Sequence, residues 1–177
     1  NLHFYDPPLK KVLHFGPEKC LLRPARGNEN LDYITADYFT TFMPNIGEKP
    51  DYVMSIADIR FPDNSFDVVI VIGILLMVPD DLKALNEVHR VLKRDGYAVF
   101  NDPVNYAQPT TIAADTLSPL ERKKYYHGHD QRWYYGADYA SRIESQGFNI
   151  VRGMANAIAD FEKYGISPND IVYIAYK

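Results

Sequence analysis

The sequence predicts an α/β protein, a three-layer α/β/α sandwich around a mostly parallel sheet whose last strand runs antiparallel. Three observations predict it. The run 66–76 is almost free of charge and rich in Val and Ile, the pattern of a strand covered on both faces, as strands of parallel sheets are. A helix with a clear start and stop follows it. Pro79, Asp80 and Asp81 put carboxylates at its positive end, Leu82, Leu85, Val88, His89 and Leu92 recur at helical spacing, Lys93 and Arg94 fall near its negative end, and Asp95-Gly96 breaks it. Residues 97–100 then return to strand, and strand, helix, strand is one right-handed crossover between parallel neighbours.

The remaining elements follow in order. Residues 1–10, with His3, Phe4, Tyr5, Pro7 and Pro8, read as an irregular lead-in over the first strand. Residues 11–15 (KVLHF) form that strand, and Gly16-Pro17-Glu18 turns it into a helix over 18–23, with proline near the first helical position and Pro24 as the expected stop. Residues 26–30 are a turn cluster, 31–35 the second strand with Asp37 just beyond it, and 38–50 a connection too short for a full crossover helix. The third strand is expected over 51–56, closed by Asp58-Ile59, before the turn Phe61-Pro62-Asp63-Asn64-Ser65. After the fifth strand, Ser118-Pro119-Leu120-Glu121 opens a short helix. Asp138 caps a helix over 139–146 that Gly147 stops. Residues 147–151 are a strand, 155–168 a turn-rich insertion, and 171–176 (IVYIAY) the last strand, expected to pair antiparallel at the far edge.

A chain of 177 residues is read as one domain over 1–177; it starts at Asn1 rather than Met, which leaves room for an upstream segment. The net charge is −4 with the cations scattered, which argues against a nucleic-acid partner bound through its phosphates. One cysteine, Cys20, forbids an internal disulfide framework and suits a reducing, cytoplasmic setting. No apolar run is long enough to span a membrane. No metal set stands out, because His127 and His129 lack further ligands at useful spacing. The oligomeric state is not specified, and a homodimer is compatible with everything above.

The words Asp58-Ile59-Arg60-Phe61-Pro62, Ser65-Phe66-Asp67 and Glu87-Val88-His89-Arg90-Val91-Leu92-Lys93-Arg94-Asp95-Gly96 resemble, in order and spacing, the middle of a class I S-adenosylmethionine-dependent methyltransferase. The resemblance implies a Rossmann-like sheet flanked by helices, S-adenosylmethionine as cofactor and a small-molecule methyl acceptor such as a sugar or another metabolite. It places the first cofactor loop at His14-Phe15-Gly16-Pro17-Glu18, where the family usually reads acid-x-Gly-x-Gly-x-Gly. A subset of the family carries a His-Phe-Ala/Gly-Pro-Glu word there, and this chain is similar to that subset. The methionine end of the cofactor would lie against Gly16, with His14 beside it and Glu18 near the ammonium group; the alternative is a plain strand-to-helix turn. Asp37 stands about 20 positions beyond that loop, where a carboxylate can accept from both hydroxyls of an adenosine ribose; otherwise it is a turn or capping aspartate. Asp58 and Ile59 would grip the adenine by its amine and its ring face; otherwise Asp58 is an exposed charge at a strand end. Gly73-Ile74-Leu75-Leu76-Met77 occupies the place of a family word His-x-Leu-Glu-His, and with its polar groups gone it would cover the cofactor, beginning at Gly73.

Residues 125–136 concentrate two histidines, an acid, an arginine and five aromatics, more chemistry than a core requires. They should arch over the carboxyl ends of the strands, where open α/β sheets bind ligands. Methyl transfer from a sulfonium needs alignment and exclusion of water, and an O or N nucleophile also needs its proton removed. His129 or His127 is the candidate base, Asp130 its orienting partner and Arg132 a clamp for an acidic group on the acceptor. The competing view is a rigid lid whose polar groups satisfy its own backbone. Two other functions stay open: a catalytically inactive methyltransferase-fold binding or regulatory protein, and a nicotinamide-dependent oxidoreductase, which the absence of Gly-x-Gly-x-x-Gly disfavours.

Overall fold

The structure is a computed structural model that describes residues 3–38, 49–122, 131–154 and 171–177. Seven strands form one sheet. In chain order the elements are β1 (Lys10–Phe15), α1 (Lys19–Arg26), β2 (Leu31–Asp37), β3 (Tyr52–Val53), β4 (Phe66–Ile72), α2 (Asp81–Val91), β5 (Leu92–Asn101), β6 (Ile112–Ala113), α3 (Pro119–Arg122), β7 (Trp133–Tyr134), α4 (Tyr139–Glu144), β8 (Asn149–Met154) and β9 (Ile171–Tyr176). The strand order is β3-β2-β1-β4-β5-β9-β8, with β6 and β7 forming a separate small ribbon. Strands β1 to β5 pair in parallel, and β9 alone runs against its neighbours β5 and β8.

The sandwich follows from strand alternation. Leu13, Phe15, Val69, Val71, Ala98 and Phe100 face the larger core with Leu85 and Val88 of α2 and Ile143 of α4, while Val12, Val68, Ile70 and Tyr97 face a smaller one with Ala25 of α1. Val68, Val69 and Val71 are fully enclosed, and each such side chain contributes about 1.5–3 kcal/mol by leaving water. The Glu87-x-x-Arg90 pair ties α2 to the turn before β4. Arg90 donates from Nη1 to Phe61 O (2.9 Å) and Asp63 Oδ1 (2.7 Å), from Nη2 to Ile59 O (2.8 Å), and from Nε to Glu87 Oε1 (2.8 Å). Glu87 Oε2 in turn accepts from Ile59 N–H (2.9 Å).

Four boundaries differ from expectation, each for a tertiary reason. Helix α1 runs through Pro24 to Arg26; one lost backbone hydrogen bond is outweighed by burying Leu22 and Ala25 against the sheet. Strand β5 starts directly at Leu92, with a register slip between Phe66 and Val68. There Lys93 Nζ reaches both Asp67 oxygens at 2.9 and 2.8 Å, so residues expected to finish the helix instead bulge along the strand. Strand β3 stops at Val53 because it has only Ala36 and Asp37 to pair with. Strand β9 lies one place in from the edge, and β8 takes the edge.

Candidate functional site

The carboxyl ends of β1, β2 and β4 open into a cleft of about 760 Å³, within the range of small-ligand sites. Phe15 and Gly16 form its floor after β1, Asp37 and Tyr38 follow from β2, and Met54, Ser55, Ile56 and Ala57 come from the chain after β3. Ile74 and residues 77–80 lead into α2, which adds Lys83, and Gln131 and Arg132 close the opposite side.

Each position has a local cause. Gly16 turns at φ +57°, and its N–H donates to Ala36 O at 2.9 Å; a Cβ there would stand 2.5 Å from Ile74 Cδ1. Only glycine takes this turn freely and leaves the cleft floor open. Asp37 ends β2, where its carbonyl accepts from Met54 N–H at 2.9 Å and so brings the two adjacent strand ends together. Asp80 caps α2, its Oδ1 accepting from Lys83 N–H at 2.9 Å. Gln131 Oε1 is buried without a hydrogen-bond partner among the described residues. No group of three His, Cys, Asp or Glu among the described residues could hold a metal ion.

The wall from Ile74 to Val78 is fastened on two sides. At its base, the tip of β5 holds it: Gly73 N–H donates to Asn101 O (2.8 Å) and Leu76 N–H to Asp102 Oδ1 (3.2 Å). Above it runs the segment through β7. Arg132 N–H donates to Leu76 O (2.7 Å), Trp133 Nε1 to Val78 O (2.7 Å), and Tyr135 Oη to Asp81 Oδ2 (3.1 Å). Asp81 is itself neutralised by Arg142, at 2.7 and 2.8 Å from Nη2. Asp102 has no such cation among the described residues; Tyr139 Oη donates to its Oδ2 at 2.7 Å. Burial pushes the Asp102 carboxyl up from 3.8 to about 6, and the nearby Asp81 charge adds to that rise. Burial also pushes the Tyr135 and Tyr139 hydroxyls upward, so both stay protonated donors.

Among the expected site residues, Gly16, Asp37 and Arg132 come together in this cleft. The other expected residues among those described do not line it. His14 points to the α1 side of the sheet, fully buried, hydrogen-bonded at Nδ1 to the Tyr33 hydroxyl and 3.2 Å from Glu18 Oε2 at Nε2. Glu18 precedes α1 and makes no capping bond. Gly73 turns the chain at φ +63° and leaves the wall to Ile74. Asp58 is 71% exposed and lies 3.8 Å from Arg60, and Ile59 is buried in the core with its backbone held by Glu87 and Arg90. With β3 ending at Val53, the residues that reach the cleft are Ser55 and Ile56, three positions earlier than the expected pair. The available signal was Ser55 itself, the first polar residue after Tyr52-Val53-Met54. His127, His129 and Asp130 lie outside the described residues.

The comparisons with known proteins agree with this architecture. The family model described as a methyltransferase domain matches residues 23–100. The match covers less than half of the chain, and the solved structures below share its fold over nearly its whole length. One similar structure is a chain from the complex between the Haloferax volcanii Trm112 methyltransferase activator and a putative methyltransferase, at 15% identity and TM-score 0.68, covering 99% of this chain and 86% of that one. Another is the YcgJ protein of Bacillus subtilis, at 15% identity and TM-score 0.63, covering 99% of this chain and 96% of that one. A third is the Haemonchus contortus phosphoethanolamine N-methyltransferase 2, solved with phosphomonomethylethanolamine and S-adenosylhomocysteine. It shares 17% identity at TM-score 0.65, covering 99% of this chain and 51% of that one. No curated protein matches the chain. No helix among the described residues is long and apolar enough to cross a membrane.

Proposed function

We propose that the protein transfers a methyl group from S-adenosylmethionine to an oxygen or nitrogen of a small acceptor, such as a sugar or another metabolite, that carries an acidic group. The observation that carries this reading is the meeting of Gly16, Asp37 and Arg132, drawn from three distant parts of the sequence, in one cleft of ligand size. Asp37 accepts from the ribose hydroxyls, Ser55 and Ile56 flank the adenine, and the open floor at Gly16 admits the methionine end. When bound, the cofactor supplies an activated methyl on a positive sulfur. The chain's part is to align the acceptor and keep water out, the apolar wall at Ile74 and Met77 doing the latter. Arg132 pairs with the acceptor's acidic group, and His129 or His127, oriented by Asp130, takes the proton of the nucleophile.

Calorimetric titration with S-adenosylhomocysteine tests the reading. Micromolar binding that Asp37→Ala weakens at least tenfold supports it; a cleft that takes no S-adenosylhomocysteine, or takes NADH instead, refutes it.

A further inference from the structure

Asp102 is an uneconomical residue for a core. It is 5% exposed, faces no cation among the described residues, and stands near a second carboxylate, Asp81, whose neutralising Arg142 is already engaged. An apolar side chain would fill the same space without the cost of desolvating a charge. What Asp102 does have is two donors, each belonging to a different part of the cleft's frame. Leu76 N–H belongs to the wall between Ile74 and Met77, and Tyr139 Oη belongs to α4. Leu76 then passes the constraint on, because its carbonyl accepts the N–H of Arg132. One carboxylate thus sets the height of the wall and, one peptide further, the place of the arch that carries Gln131 and Arg132 into the cleft.

We propose that Asp102 is a positioning residue of the methyl-transfer site, holding Leu76, and through Leu76 the Arg132 peptide, in the register that the bound cofactor and acceptor require. The proposal rests on the reading of this cleft as the S-adenosylmethionine site. Tyr139 keeps the carboxylate turned toward Leu76, since its hydroxyl fixes the second oxygen. Asp102 touches neither ligand; it lies behind the wall and acts through it.

The test compares Asp102→Ala, Asp102→Asn and the unaltered chain at pH 7.5, by calorimetric titration with S-adenosylhomocysteine and by amide hydrogen exchange at Leu76 and Arg132. Alanine removes the acceptor but also removes the buried charge, so the two effects on folding oppose each other and the sheet amides stay protected. Alanine is expected to weaken S-adenosylhomocysteine about tenfold, the worth of about one net hydrogen bond, and to unprotect Leu76 and Arg132. Asparagine, whose carbonyl can still accept from Leu76 N–H, should restore both. The proposal is overturned if alanine binds as tightly as the unaltered chain, if both amides stay protected, or if asparagine is as damaged as alanine. Should alanine fail to fold, Tyr139→Phe replaces it. Removing the second anchor should weaken binding and loosen Leu76, and unchanged values for both overturn the proposal. If the unaltered chain binds no S-adenosylhomocysteine, the cofactor reading fails, while the exchange data still judge the tether.

Discussion

Asp102→Asn should make the fold more stable at neutral pH. The carboxyl's proton affinity is displaced from 3.8 to about 6. At about 1.4 kcal/mol for each tenfold change, that is a cost of about 3 kcal/mol for carrying the ionised form in the folded chain. The sign follows from which state holds the proton more tightly. For an acid raised on folding, the native chain does, so this group's contribution is most favourable below 3.8, worsens as pH rises toward 6, and stays unfavourable above. Asparagine stands in for the neutral acid at every pH. Its carbonyl accepts from Leu76 and its amide donates to Tyr139 Oη, whose own hydrogen must then find another acceptor, which takes back about 1 kcal/mol. A net gain of about 2 kcal/mol at pH 7.5 is expected, a rise of about 4–8 °C in Tm for a chain of this size. At pH 4.5 the folded carboxyl is almost wholly protonated while the unfolded one is still mostly ionised, so the charge relief shrinks to about 1 kcal/mol and the advantage disappears. Differential scanning calorimetry of both chains at the two pH values checks this. A variant no more stable at pH 7.5, or a gain of the same size at both, would refute the account of Asp102 as a costly buried charge.

Three further outcomes follow. Arg90→Ala strips its hydrogen bonds from Ile59, Phe61, Asp63 and Glu87 and should destabilise by about 2 kcal/mol, discounted because the guanidinium is partly exposed; urea denaturation reads it. The Arg90 hydrogen bond holds the Glu87 carboxyl below its ordinary 4.5, so the stability from that pair is complete above 4.5 and is lost as pH falls below it. The Arg90→Ala chain should therefore show a shallower acid denaturation limb than the unaltered one. Gly16→Ala meets both an unfavourable φ and Ile74 Cδ1 at 2.5 Å. It should cost about 1–2 kcal/mol of stability, by thermal denaturation, and weaken S-adenosylhomocysteine severalfold by calorimetry.

Where local pattern and tertiary demand coincide, the sequence was transparent. The Val-Ile run of β4 and the Asp80 cap of α2 needed no partner to be recognised, and 171–176 was seen as an antiparallel strand. The misplaced boundaries are those decided by a neighbour. Nothing local in Lys93 says that it will turn to Asp67 and pull the chain into β5, and nothing in Asp51-Tyr52-Val53 says that β2 offers only two residues to pair with. The same boundary explains why Ser55 and Ile56, rather than Asp58 and Ile59, line the cleft, which begins where pairing stops. Gly16 and Asp37 were legible since both sit at the ends of strongly marked strands. Asp102 was not: in Asn101-Asp102-Pro103 it reads as a turn residue, and only the arrival of Leu76 and Tyr139, from 26 residues before and 37 after, turns it into a buried hub.

The position of β9 has a consequence for how the chain is built. Among the described residues, β8 pairs with β9 alone, and β9 likewise closes the outer side of β5. While 171–176 are still unsynthesised, the Leu92–Asn101 ribbon presents bare amides and carbonyls and β8 has nowhere to dock. A nascent chain paused there offers two sticky margins to its neighbours. Slow translation near the final strand should thus raise aggregation more than an equal delay within β1 or β2, whose neighbours follow within a few dozen residues.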